Sequence, residues 1–274
     1  MNSAMPKRNS ESKYWDKAVK EVAGRPDFDP LLAEQYRRAY LNLIARWADA
    51  TDGKRILKTD LFAEAVHPSR AFLWDLLKAD NRVIGMDISA EVTARARARA
   101  VQYTSYSSVQ CVSCDVRQLP FASNAFDLIV SDSTLDHFHH THEIATALSE
   151  LSRVLRPGGI LIITMDNKSN FTEPLFRLWL SLRLHPVFVG KTYSVGELKQ
   201  ALTKAGLTVV ETTAIMHNPR FFARRMIPLI HKVVPVRFDG LIKRCLAFFD
   251  GLENKKTKYL TGQFIAAKAV KRPD

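Results

Sequence analysis

Cysteine is scarce in this chain, three among 274 residues. That excludes a scaffold built on disulfides and fits a reducing compartment. Long apolar runs are also missing. Although 46% of the residues are hydrophobic, no stretch approaches the roughly 18 uninterrupted apolar residues of a spanning helix. The opening MNSAMPKRNSESKYW has no apolar core of the signal-peptide kind, so a cytoplasmic location is expected. Acidic residues are the minority charge, 28 against 40 Lys and Arg, leaving a formal net charge of +12. The imbalance is local: Met216 to Asp274 holds 13 Lys/Arg and only 4 Asp/Glu. Such a segment is either a solvated basic face or a surface for an anionic partner. Glycine, finally, is absent between Gly53 and Gly85.

What is present is an alternation of short apolar strands and amphipathic helices. Leu32, Tyr36, Ala39, Leu43 and Trp47 share one face of a helix over 31–48, expected to pack over the carboxyl edge of a sheet. Strands are predicted at 55–58, 82–86, 109–113, 126–130 and 160–164, with later ones at 207–213 and 263–268. A helical segment is expected over about 63–79, kinked at Pro68, and another over 142–156, ended by Pro157-Gly158-Gly159. Ser194 to Glu197 reads as a capping box for a helix stopping at Gly206. Residues 1–10 read as disordered. This order predicts an α/β fold with helices on both faces of the sheet. Residues 1–50 are expected to form an N-terminal helical segment or lid. Residues 51–274 are expected to form the main domain, with inserts at about 171–190 and 218–251.

Three segments carry the chemistry: VIGMDIS (83–89), DVRQLPFASNAFDLIVS (115–131) and LSELSRVLRPGGILIIT (148–164). Each of the first two sets an acid, Asp87 or Asp115, at a strand end or just beyond it. Strand carboxyl ends line the ligand crevice of an open parallel sheet. Taken together, the segments resemble the class I S-adenosylmethionine-dependent methyltransferases, in the type 11-like small-molecule and lipid branch that includes quinone and sterol methylases. The resemblance implies a Rossmann-like, mostly parallel seven-stranded sheet and S-adenosylmethionine as cofactor. It implies that Asp87 accepts from the ribose hydroxyls and Asp115 from the adenine amino group. Ile88 would then pack on the adenine, the Val116 N–H would lie beside the ring, and Ser131 would lie near the methionine end. The alternative is that both acids merely end their strands.

The chain departs from that family in its first strand–loop–helix turn. An acidic residue and a glycine-rich loop are usual there, because glycine lets the backbone approach the cofactor. Here the turn reads ILKTDLFAEA, with Lys58 at the acidic position and Asp60, Phe62 and Glu64 near the expected glycines. In one reading Asp60 takes the ammonium contact and Phe62 lies near the sulfonium as a cation–π partner. In the other the site is closed and the protein is a catalytically inactive binding module. Asp60 capping the following helix is a third role for that residue.

Beyond the fourth strand stands Asp136-His137-Phe138-His139-His140-Thr141-His142. His137 is the candidate base, with Asp136 or Asp132 to orient it or bind the acceptor. The plain alternative is a histidine that shapes the pocket. A metal is not expected, since the histidines lack spaced carboxylate or thiolate partners. Cys111 and Cys114 have CxxC spacing, but on a strand they point to opposite faces and are expected to pack rather than bridge. The inserts mix aromatic and aliphatic residues with Arg and Lys. Five readings of them follow: a lid over a lipid-like acceptor, contact of the basic C-terminal region with a membrane surface, stacking of RNA bases with neutralised phosphates, a dimer interface, or simply more core. Nucleic acid ranks last among partners, since no Asp-Pro-Pro-Tyr or Asn-Pro-Pro-Phe signature occurs. The expected function is methyl transfer to a small or lipid-like acceptor. An inactive methyltransferase-fold protein and an RNA methyltransferase are the alternatives.

Overall fold

In a computed structural model of the chain, the described residues are 8–24, 29–48, 53–77, 80–103, 109–182, 188–219, 223, 226–227, 229–230 and 239–272. Their centre is a seven-stranded sheet of β1 (Arg55–Thr59), β2 (Arg82–Asp87), β3 (Val109–Ser113), β4 (Phe126–Ser131), β5 (Leu155–Asp166), β6 (Leu207–Ile215) and β7 (Phe264–Lys271). The strand order is β3-β2-β1-β4-β5-β7-β6. β7 runs antiparallel to both its neighbours, and the other pairings are parallel. The order reverses between β1 and β4, and a cleft opens at that point at the strand carboxyl ends.

The central strands read as continuous apolar runs because both their faces are covered. Ile56 joins the core on one face of the sheet and Leu57 the core on the other. Leu128 and Val130 alternate with Ile129 in the same way. Phe126 joins Ile129 on its face because the pairing shifts register between Phe126 and Leu128. Helices α1 (Arg8–Ala23) and α2 (Pro30–Trp47) cover the first face. Helices α5 (Thr141–Val154) and α7 (Val195–Lys204) cover the second. α2 starts where Asp29 accepts from the Leu31 N–H at 3.0 Å, with Pro30 in the first turn. Leu32, Tyr36, Leu43 and Trp47 are buried and Ala39 partly so. Tyr36 donates to Asp132 at 2.9 Å, and the Tyr40 hydroxyl bonds Thr164 Oγ1 at 2.9 Å. These bonds fix α2 to the ends of β4 and β5.

Some sequence expectations need correction. Residues 8–10 belong to α1; residues 1–7 lie outside the described set. The helix expected over 63–79 is a five-residue α3 (Phe62–Val66), a turn through Pro68 and a 3-10 turn, Leu73–Leu76. Glu64 causes the break: its carboxylate accepts from the N–H groups of Phe72 at 3.4 Å and Leu73 at 3.1 Å, folding the chain back. α5 stops at Val154, before the Pro-Gly-Gly, which already runs as part of β5, and Gly158 takes a φ of +72°. The capping box at Ser194 forms, with the Ser194 hydroxyl accepting from the Glu197 N–H at 3.3 Å. Further helices are α4 (Ala90–Ala100), α6 (Glu173–Ser181), α8 (Asp239–Asp250) and α9 (Lys258–Thr261). Within and beside the inserts, Arg183, Arg220, Phe221, Phe222, Arg224, Arg225, Lys232, Arg237 and Phe238 lie outside the described set.

Gly85 shows how tightly the first turn sits on β2. A Cβ there would lie 2.6 Å from Leu61 Cδ2 and 3.2 Å from Leu73 Cδ2, and both leucines are fully buried. Gly85→Ala is expected to lower stability by about 1–3 kcal/mol through overpacking. Urea melts of the two proteins check this, and equal midpoints would contradict it.

Candidate functional site

An open cleft at the carboxyl edge is lined by Glu11, Trp15, Asp60, Phe62, Met86, Asp87, Ile88, Asp115, Val116, Thr134, His137 and Phe138. Its floor follows from strand geometry. β2 ends in Asp87, which accepts from the Leu61 N–H at 3.0 Å and the Ser89 N–H at 2.9 Å. One carboxylate thus joins the turn after β1 to the turn after β2, and each of its oxygens keeps a lone pair. Burial pushes Asp87 up to about 6, with those two N–H groups pulling the other way. Asp60 stands beside it at a φ of +67°, a left-handed conformation that Asp tolerates better than most residues. Its carboxylate accepts from the Phe62 N–H at 2.7 Å. Burial, and then the Asp87 charge, raise it well above the usual carboxylate range. Two raised carboxylates in one cleft favour a ligand that brings a cation and hydroxyl donors.

The four side chains of the divergent turn divide between the core and the cleft. Lys58 is fully buried beneath it, 3.2 Å from Glu64 Oε2, 2.5 Å from the Asp60 carbonyl and 4.6 Å from the centre of the Phe72 ring. Burial opposes its charge, but Glu64, Asp132 and Asp60 hold its pKa above the ordinary lysine value. Glu64 therefore turns away from the cleft. Asp60 and Phe62 do line it, and Phe62 packs edge-on to Trp15 with ring centres 5.9 Å apart.

Asp115 faces the cleft, but it is not alone. Its Oδ1 accepts from Arg117 N at 2.8 Å and Nε at 3.0 Å, and its Oδ2 from an Arg117 terminal nitrogen at 2.8 Å. Arg117 also bonds Glu143 at 2.7 Å, pairs with Glu11 of α1 and lies 4.8 Å over the Phe138 ring. Burial disfavours the Arg117 charge, but Asp115 and Glu11 together keep it firmly protonated. Trp15 meets the His137 ring edge-on at 4.7 Å. Tyr14 accepts from the Phe188 N–H at 2.9 Å, and Asp16 accepts from Ser89 Oγ at 2.5 Å. α1 therefore roofs the cleft. Sequence reading missed Glu11, Trp15 and Arg117 as site residues. The spacing of Trp15, Val19 and Val22, one helical face, was the signal that could have revealed α1.

His137 lines the opposite wall. Its Nδ1 lies 2.7 Å from the Phe188 carbonyl, which can only accept, so Nδ1 carries the proton and Nε2 the lone pair of the neutral ring. The strap 188–193 holds this arrangement. Gly190 N donates to the Asp136 carbonyl at 2.7 Å and Lys191 N to that of Phe138 at 2.8 Å. Gly190 lies directly on the Phe138 backbone, where a Cβ has no room.

Two expected site residues do not reach the cleft. Ser131 is 1% exposed and accepts from Thr59 Oγ1 at 3.1 Å beneath the floor; Thr134 lines the wall instead. Asp136 is 0% exposed. Its Oδ2 accepts from Ser133 Oγ at 2.6 Å and Asp166 N at 2.7 Å, so it ties the turn at 135–137 to the end of β5 rather than orienting His137. Among the described residues, no group of three or more His, Cys, Asp or Glu converges on a metal position. Burial pushes the Cys111 thiol to about 11 and that of Cys114 to about 12.

Two outcomes follow for the buried charges. Lys58→Met strands Glu64 and is expected to cost about 3–5 kcal/mol, whereas Lys58→Met with Glu64→Gln restores most of the loss; urea melts of the three proteins measure both. Asp136 is pushed up to about 6, by burial first and then by Asp166. The folded state holds this proton to higher pH than the unfolded chain does, so stability drains away as pH rises from roughly 4 to 6. Asp136→Asn removes that loss. Relative to the parent, the variant should gain about 1–3 kcal/mol between pH 4 and pH 7.5. A pH-independent difference between the two proteins would contradict it.

The sequence profile of the methyltransferase domain family matches residues 46–163. The uncharacterized protein YafE of Escherichia coli is 35% identical over 132 residues, 46% of this chain and 59% of that protein. A probable S-adenosylmethionine-dependent methyltransferase of Mycolicibacterium smegmatis is 29% identical over 137 residues, 50% of this chain and 48% of its own length. The chain thus spans about half the length of these curated relatives. In fold it is similar to the N-methyltransferase NodS of Bradyrhizobium japonicum, solved with S-adenosylhomocysteine, with a TM-score of 0.60 at 17% identity over 96% of this chain and 100% of that one. Sequence over 46–163 is similar to the methyltransferase domain family, and over nearly the whole chain the fold is similar to that of solved methyltransferases.

Proposed function

We propose that this chain transfers a methyl group from S-adenosylmethionine to a small or lipid-like acceptor. The observation that carries the reading is the gathering of Asp60, Asp87, Asp115 and His137 around one cleft at the point where the strand order reverses. When bound, S-adenosylmethionine supplies an electrophilic methyl group on a sulfonium. Asp87 uses its two remaining lone pairs for the ribose diol. Asp60 receives the ammonium group, which relieves its repulsion with Asp87. Phe62, with Trp15 against it, offers an aromatic wall to the sulfonium. Ile88 and the Val116 N–H flank the adenine, and Asp115 accepts from its amino group by sharing a carboxylate that Arg117 already holds.

The chain's own part in the chemistry is positioning and proton removal. His137, its tautomer set by the Phe188 carbonyl, takes the acceptor's proton at Nε2. The strap that holds His137 also receives α6: Arg177 donates to the Gly190 carbonyl at 3.0 Å and to Thr192 at 2.9 Å. The acceptor side of the cleft is thereby continuous with the helix that follows β5. A lipid-like acceptor is favoured by the exposed apolar residues of that helix, Leu175 and Leu178.

Calorimetric titration with S-adenosylmethionine and S-adenosylhomocysteine tests the proposal. Saturable binding is expected. Asp87→Ala should weaken it roughly tenfold to a hundredfold through lost hydrogen bonds to a charged group, and His137→Gln should leave it intact. Heat flow indistinguishable from dilution in a folded parent protein would sink the cofactor assignment and leave a non-catalytic module of the same fold.

A further inference from the structure

We infer that the outer faces of α6 and of the α8–α9 segment form a docking surface for an anionic lipid bilayer. The inference stands apart from cofactor binding in the cleft, although it shares Leu175 and Leu178 with the lipid-like acceptor reading. α6 is amphipathic in the reverse of the usual sense. Its inner side is anchored: Phe176 is 3% exposed, and Glu173 and Arg177 bond each other and the strap at 188–193. Its outer side is apolar. Leu175, Leu178 and Leu182 are 59%, 56% and 61% exposed and recur at helical spacing, with Phe171 just ahead of them at 64%. An isolated exposed leucine needs no explanation, but an ordered stripe on one helix face marks an interaction surface.

A second stripe lies on α8. Leu246 packs inward with Leu31 and Leu32 of α2. Leu241 and Phe248, two turns apart on the other side, are 66% and 69% exposed, with Arg244 exposed on the same side. A hydrogen bond ties the first stripe to α9: the Phe171 N–H donates to the Leu260 carbonyl at 2.9 Å, and Leu260 is itself exposed.

Charge identifies the partner. Two of the segment's three acids, Asp250 and Glu253, are turned inward onto α2; the third, Asp239, opens α8. Asp250 accepts from Gln35 at 2.6 Å and Arg38 at 2.7 Å, and Glu253 accepts from Arg46 at 2.9 Å. The bases Lys243, Arg244, Lys255 and Lys256 are exposed, and none is ion-paired to a described acid. Basic residues around apolar stripes, with Asp250 and Glu253 withdrawn onto α2, suit anionic headgroups above acyl chains. A second copy of the chain fits worse, because an isologous contact would set basic faces against each other.

Flotation of the full chain with lipid vesicles tests the inference. Binding is expected to vesicles of phosphatidylcholine doped with phosphatidylglycerol, to weaken with salt, and to be much lower on phosphatidylcholine alone. Removing Lys255 and Lys256 as alanines should reduce partitioning by roughly fivefold per charge. Leu175→Gln, Leu178→Gln and Leu182→Gln together should reduce it at least about tenfold, with the parent's circular dichroism and urea midpoint retained. The inference is overturned by no binding to anionic vesicles at low salt, or by binding that neither variant changes. It is equally overturned by a dimer in velocity sedimentation that the leucine variant dissociates, which would make a second copy the occupant. Cofactor titration is read separately, so failure here leaves the cleft's assignment untouched.

Discussion

Six carboxylates, those of Asp60, Asp87, Asp115, Asp132, Asp136 and Asp166, crowd the carboxyl edge of one sheet, and everything above that edge is arranged by how they are satisfied. Parallel strands that start in register bring their last residues together, so the crowding is built into the topology. Full ionisation without compensation would cost several kcal/mol per group in a water-poor cleft. The structure answers in different ways. Tyr36 reaches down from α2 to Asp132, backbone N–H groups serve Asp87, and Arg117 serves Asp115. Asp60 and Asp87 line the ligand side, so they are the acids a cationic ligand would meet.

The roof over the cleft depends on the same compensation. Arg117 joins Asp115 on the floor, Glu143 on α5 and Glu11 on α1. Trp15 and Tyr14 extend the contact to His137 and Phe188. Three regions far apart in sequence meet through one guanidinium, whose planar set of donors can bridge several carboxylates at once, as a lysine ammonium cannot in the same geometry.

Sequence reading and structure coincide where a local pattern has a direct physical consequence. Apolar runs ending in Asp87 or leading into Asp115 became strands whose ends face the cleft, since a buried strand needs apolar residues on both faces. The capping residues at Ser194 and Glu197 act over one helical turn, and they too were legible. What escaped depends on distance or on side-chain direction. Glu11 and Arg117 are 106 residues apart, and no periodicity announces such a pair. Ser131 is at the right strand end, but alternation turns its hydroxyl toward Thr59 and below the floor. Asp136 sits one residue from His137, yet the 3-10 turn between β4 and α5 points it into the core. The helix expected through Pro68 failed because Glu64 bonds the backbone at Phe72 and Leu73, a contact that helical spacing alone does not reveal.

Lys58 and Glu64 replace backbone flexibility with a buried ion pair at the turn where glycine was expected, and this limits how the turn can change. Replacing either residue alone leaves a charge in the core without its counter-charge, whereas replacing both together removes the conflict. The two positions therefore behave as a single hereditary unit. Any single replacement at this turn therefore meets a stability barrier that the paired replacement avoids.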